Sequence, residues 1–342
     1  MIDIIPQERL SAHAFPAWSA NGEKVWVVAV KASFQYELDG FVTPLPKSEP
    51  LTPADAYAEN DPEKQAICAA SDLVPFKAGS EILLYAHAVS HKPALSIKVK
   101  AELKTEQEEW EKELLAIGPR LWKKSIWGMV PGDPEPITDL PITYEYAFGG
   151  KHPTKENKVY LPNPVGIGYC GHHKVKANLL PQVESISRLI SSPKQKIEPS
   201  GFGPISMHWS PRYKKFPDID EQALINEDFP YMSDLPESLY NCAPEDQQLP
   251  NKLSGPASLK LTGLTQGLSK GQPLQLNWTI PEIDLQLIRR QQVQQHALQA
   301  DTLIVDTRQK QLHMVYRHAI SGLPERFQAQ VAVQERSDDH AT

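Results

Sequence analysis

The segment Val25–Tyr36 constrains the fold more than any other part of the sequence. Trp26, Val28, Val30, Ala32, Phe34 and Tyr36 recur at every second residue, while the alternate set begins with Val25, Val27 and Ala29 and ends with Lys31, Ser33 and Gln35. A period of two places successive side chains on opposite faces of a strand. An apolar start on both faces predicts a strand whose beginning is covered on both sides, which requires a sheet inside a multilayer core. Asp39-Gly40 is a hairpin turn signal, so Phe41-Val42-Thr43 is expected to pair back.

The same alternation returns further on. Glu81–Val89 reads as a strand, and Leu95, Ile97, Val99, Ala101 and Leu103 alternate with Ser96, Lys98, Lys100, Glu102 and Lys104, the pattern of a half-solvated antiparallel strand. From Gly255 onward it is carried by Leu259 and Leu261, by Leu274, Leu276, Trp278 and Ile280, and by Ile283, Leu285 and Leu287. Leu303 and Val305, Leu312, Met314 and Tyr316, and finally Phe327, Ala329, Val331 and Val333 complete the series. Proline supports the same conclusion: 31 of 342 residues is about 9%, nearly twice the ordinary share. The expected fold is mainly β, with antiparallel sheets in a sandwich or barrel-like arrangement, a few short helices and long ordered loops.

Helical signals are few. Thr52-Pro53 predicts a single helical turn over 54–58. Val183, Ile186, Leu189 and Ile190 have helical spacing, which predicts a helix over 182–191. Asp220 is a candidate cap for a helix over 221–227. The glutamine-rich 291–299 stretch is compatible with a loop or a helical insertion. This divides the chain into an N-terminal β region (1–143), an irregular centre rich in proline and glycine (144–254), a C-terminal antiparallel region (255–336) and a tail (337–342), with the two β regions able to form one continuous fold.

Composition restricts function. The net charge is −7, and no basic block resembles a nucleic-acid footprint. The first residues lack a signal peptide's basic and apolar regions, and nowhere do eighteen apolar residues run together, so neither export nor membrane insertion is expected. Three scattered cysteines, Cys68, Cys170 and Cys242, fit a reducing compartment, and a cytoplasmic location is expected.

No segment shows a catalytic pattern. Cys170-Gly171-His172-His173, with His208 and Cys242 as possible further ligands, is too tightly spaced for a local zinc site. Gly-x-Ser-x-Gly is absent, and Gly149-Gly150 and Gly166-Ile167-Gly168 match neither a P-loop nor a dinucleotide fingerprint. Neither metal nor cofactor is expected. Glu145, Asp218, Asp220, Glu227, Asp228, Glu245 and Asp246 keep a carbohydrate-active or other hydrolase open as an alternative, because two opposed carboxylates suffice for glycoside hydrolysis. The centre itself is dense in residues that shape loops: Tyr144-Glu-Tyr146-Ala-Phe148-Gly-Gly150, Asn163-Pro164-Val-Gly166-Ile-Gly168, Gly201-Phe202-Gly203-Pro204 and Asn241-Cys-Ala-Pro-Glu-Asp246-Gln247-Gln248.

Six ordered segments carry a family resemblance. They are Val30-Lys-Ala-Ser-Phe34, Ser71-Asp-Leu-Val-Pro-Phe-Lys-Ala-Gly-Ser-Glu81, Tyr144–Gly150, Asn163–Gly168, Gly201-Phe-Gly-Pro-Ile205 and Asn241–Gln248. The Asp301-Thr302 to Tyr316-Arg317 stretch is similar too. Together they resemble a bacterial domain-of-unknown-function family encoded beside type VI secretion spike components. The sequence departs from it in having proline at 119, where an aspartate is usual, and cysteine at 242. The resemblance implies a non-enzymatic adaptor or chaperone that loads an effector carrying a PAAR tip domain onto the VgrG spike. Within these motif segments Tyr146, Phe148, Asn163, Pro164, Gly166, Phe202, Asn241, Asp246 and Gln247 are the candidate partner-binding or structural positions.

Overall fold

The computed structural model describes residues 2–126, 128–155, 158–170, 178–232, 234–268, 271–289, 292–322 and 329–335. Phe327, the tail and the 171–173 part of the Cys/His cluster lie outside them. The protein is mainly β, built from several largely antiparallel sheets with two short α-helices among the described residues, and no closed barrel forms.

A five-stranded antiparallel sheet runs in the order Val183–Ser185, Glu109–Ile117, Ser96–Lys104, Gly255–Thr262, Leu274–Ile280. A ten-stranded sheet follows the path Ile2–Pro6, Ala329–Glu335, Ile283–Arg289, Gln292–Asp306, Gln311–Ile320, Lys24–Tyr36, Leu10–Trp18. Ser80–Tyr85 joins it by pairing in parallel with the second half of Gln292–Asp306. Strands from 1–143 and from 255–336 therefore sit side by side in both sheets.

The inner faces share one core. Val99, Leu103, Leu114, Leu259, Leu261 and Leu276 from the smaller sheet belong to the same buried cluster as Val28, Val30, Leu84, Leu303, Val305, Leu312 and Met314 from the larger. Area removed from water at roughly 25 cal/mol per Å² makes such a cluster the main driving force of folding. On its other face the larger sheet is covered by the coil 45–79 and by residues 236–249. There Leu83, Ile304 and Val315 pack against Ile67, Ala70, Cys242 and Ala243.

Most predicted strands form, and Val42–Pro44 pairs back onto Phe34–Tyr36 as the Asp39-Gly40 turn requires. The strand expected over 81–89 is instead divided at Ala86 into Ser80–Tyr85, in the larger sheet, and His87–Ala94, which pairs with Ile137–Pro141. Helix Glu221–Asn226 also forms, with the Asp220 carboxylate accepting from the Gln222 and Ala223 amides. Three further expectations are corrected. Residues 54–58 make no helical turn, because the Ala56 amide bonds the Ala69 carbonyl and Asp55 accepts from the Ser71 amide. Residues 182–191 contain the edge strand Val183–Ser185 instead of a helix: Glu184 is drawn inward to Arg120, Val183 and Ile190 are buried, and Ile186 and Leu189 stay exposed. The glutamine-rich stretch, from Gln292 on, is neither loop nor helix, since it pairs in register with Ile283–Arg289.

Candidate functional site

Lys31 and Ser33 stand at the end of Lys24–Tyr36 where one face turns polar, yet both are buried. The register explains where they go. Glu81, Thr302, Val315 and Lys31 lie side by side across four strands of the larger sheet, on the face covered by the coil. An irregularity between Ala300 and Thr302 adds Asp301 to this row.

The row forms one buried network of charges. Lys77 pairs with the Glu81 carboxylate and donates to Thr302 Oγ1 at 3.0 Å, and Thr302 donates to Asp301 at 2.8 Å. Asp301 pairs with Arg317, whose guanidinium also donates to the Asp72 carbonyl at 2.8 Å. The Asp72 carboxylate closes the row against Lys31 at 2.5 Å and accepts from the Thr52 amide at 2.7 Å. Burial alone would push the Glu81 and Asp301 carboxyls up. The ion pairs and hydrogen bonds taken together, led by Lys77 at Glu81 and by Arg317 at Asp301, outweigh it and hold both below the usual range.

Residues 241–248 attach to this network. Glu81 Oε2 accepts from the amides of Cys242 (2.8 Å) and Ala243 (3.0 Å). Asn241 forms a two-way bridge with the Ala78 backbone, accepting its amide at 3.0 Å and donating to its carbonyl at 3.1 Å. Gln247 donates to the carbonyls of Ile82 (2.7 Å) and Phe202 (2.8 Å) and accepts from Lys112 at 2.7 Å. Lys112 reaches Asp246 as well, at 2.7 Å, while burial pulls its ammonium below the usual lysine range. Asn241, Gln247 and Phe202 are thus buried scaffold, whereas the Asp246 side chain is largely exposed.

A second junction gathers the remaining motif residues. Asn163 is buried and donates to the carbonyls of Tyr144 (2.8 Å) and Phe148 (3.1 Å). Gly166 passes so close that a Cβ there would lie 2.3 Å from Asn163 Nδ2 and 2.5 Å from the Ala147 carbonyl oxygen. Phe148 packs with Trp122, Leu180, Ile190 and Ile197 and meets the Tyr160 ring edge-on at 5.1 Å. Tyr146 and Pro164 are half-buried at its rim.

Among the carboxylates considered for hydrolysis, Glu145 accepts from the Ala66 amide at 2.8 Å and Asp246 is held by Lys112. Cys242 is buried, with its thiol 3.3 Å from Glu81 and pushed up to about 12 by burial and that carboxylate. Among the described residues no three His, Cys, Asp or Glu side chains converge as a metal site. No helix among them is long and apolar enough to cross a membrane.

Sequence reasoning missed Lys31, Asp72, Lys77, Glu81, Asp301 and Arg317 as a unit. The available signal was a charged side chain inside an otherwise apolar strand, as in Lys31 among Val27–Phe34 and Glu81 before Ile82-Leu83-Leu84. Such charges are rarely buried unless paired.

The fold and these contacts define a mainly β protein in which two sheets share a core and motif loops brace one of them through buried ion pairs. An uncharacterized protein family conserved in bacteria (DUF2169) matches residues 21–317, and the chain belongs to it. Comparison with curated proteins and with solved structures found no match to either.

Proposed function

We propose that this protein is a non-enzymatic adaptor that binds a toxic effector carrying a PAAR domain in the cytoplasm and helps load it onto the VgrG spike of a type VI secretion system. The reading starts from the resemblance of the motif segments to adaptors of that system. One structural observation supports it above the others: large apolar side chains are left in water on projecting segments. Ile126 at a hairpin tip is 92% exposed, and Ile225 and Phe229 on the 216–232 segment are 74% and 63% exposed. Apolar side chains concentrated on such projections are the usual mark of a protein-binding surface. The motif residues themselves serve as framework, leaving the projections for contact.

The test is co-expression with a PAAR effector encoded beside it, followed by affinity purification and size-exclusion chromatography. A stable complex, with effector solubility and secretion lost on deletion of the adaptor, is the expected result. Recovery of the effector alone, with secretion unchanged by the deletion, would overturn the proposal.

A further inference from the structure

Residues 216–232 make a preformed hook. Its helix, Glu221–Asn226, buries none of its residues, so packing does not hold it in place. Its own bonds do: Asp220 caps the first turn, Glu227 closes the last in the left-handed conformation, and the Asp228 amide returns to the Ala223 carbonyl at 2.9 Å. The Asp220 amide bonds the Tyr231 carbonyl at 2.9 Å, which joins the two ends, and the Phe229 and Tyr231 rings lie against each other, tilted by 34° with centroids 4.3 Å apart. One closed element thus presents Ile219, Leu224, Ile225 and Phe229 to solvent.

Along residues 216–232 the charge has a single sign. Asp218, Asp220, Glu221, Glu227 and Asp228 are all exposed, and no basic residue occurs between Lys215 and Lys252. We infer that the hook is a docking site for an amphipathic protein segment in which lysine or arginine flanks leucine- or phenylalanine-type anchors. The apolar anchors supply contact area, and the acidic rim selects the sign of the partner's flanks.

The charge pattern argues against two other occupants. A second copy related by a two-fold axis would bring the same acidic rim against itself. An anionic membrane surface would repel it. The inference rests on the adaptor reading only for the identity of the protein that supplies the segment.

The test uses the full chain and a fluorescent Leu/Lys amphipathic peptide, with a Leu/Glu peptide of the same pattern as control. Binding of the Leu/Lys peptide alone, weakening as salt is raised, is expected. Ile225→Asp with Phe229→Asp should weaken it at least ~10-fold, as expected for loss of about 1.4 kcal/mol of contact energy. Because Ile225 lies on a helix that buries none of its residues, the Ile225→Asp single variant should weaken binding with no change in Tm. Reversal at Asp218→Lys, Glu221→Lys and Asp228→Lys should shift preference to the Leu/Glu peptide. The same charge change at Glu109→Lys, Glu111→Lys and Glu113→Lys, on the outer face of the smaller sheet, should not. Equal binding of both peptides, or equal effects of the two reversals, overturns the inference. So does tighter binding to phosphatidylserine vesicles than to the peptide, or sedimentation as a dimer that the hook variants abolish. A stable effector complex indifferent to every hook variant would remove the hook and leave the adaptor reading standing. Peptide binding without an effector complex would do the reverse.

Discussion

The Lys77–Glu81 pair offers the sharpest test of how the covering coil is held on the larger sheet. Both side chains are essentially inaccessible to solvent. Replacing Glu81 with leucine strands the Cys242 and Ala243 amides, both of which donate to Glu81 Oε2, at about 1–3 kcal/mol each. It also leaves Lys77 with only the Thr302 hydroxyl and a distant share of Asp301. An uncompensated buried charge costs about 3–5 kcal/mol. Even with partial relaxation the loss should exceed ~4 kcal/mol, a large share of the ~5–15 kcal/mol that holds an ordinary domain together. Lys77→Met should cost about 3–5 kcal/mol, since the Glu81 carboxylate keeps both amides. In the double variant no charge is stranded, so its loss should fall short of the summed single losses by at least ~2 kcal/mol. Urea denaturation followed by tryptophan fluorescence measures all three. Because the Glu81 carboxyl lies below its ordinary 4.5 in the fold, its contribution is complete above that pH and fades as pH falls through the lowered value. The gap between wild type and Glu81→Leu should therefore narrow in acid. Single losses under ~1 kcal/mol, or strict additivity, would refute the reasoning.

Other outcomes follow from the same contacts. Phe148→Ala should lower stability by about 3–5 kcal/mol, read by thermal denaturation, because its ring is enclosed by Trp122, Leu180, Ile190 and Ile197; an unchanged Tm would place the ring outside the core. Burial and the nearby Lys31 pull His313 down from 6.5 to about 4, so the fold keeps it neutral where the unfolded chain protonates. Stability should then decline by about 3 kcal/mol in total as pH drops from 6.5 to 4, and His313→Gln should flatten that part of the pH profile. Iodoacetamide at pH 8 should label the exposed Cys68 in the native protein and spare Cys242, as mass spectrometry of tryptic peptides would show.

Much of the fold can be read from local pattern. Alternation locates the strands Lys24–Tyr36, Ser96–Lys104, Gly255–Thr262 and Leu274–Ile280, and the Asp220 cap locates the one exposed helix. These features are legible because each depends on neighbours within a few residues: which face of a strand is apolar, or which amides a cap can reach. The site was less legible. Asn163, Phe202, Asn241 and Gln247 stood out as residue types, but whether they face a partner or the interior depends on what folds over them.

Tertiary structure decided everything that joins distant parts of the chain. Nothing local says that Glu81 will lie beside Thr302, that the coil 45–79 will cover Lys31 and Ser33, or that Val183–Ser185 will be taken up by Glu109–Ile117 instead of forming a helix. Periodicity reports how one segment partitions between water and an apolar surface. Which surface it meets is set by the free energy of the whole core, where a buried carboxylate is stable only once a lysine from the same coil and two amides from residues 242 and 243 arrive together.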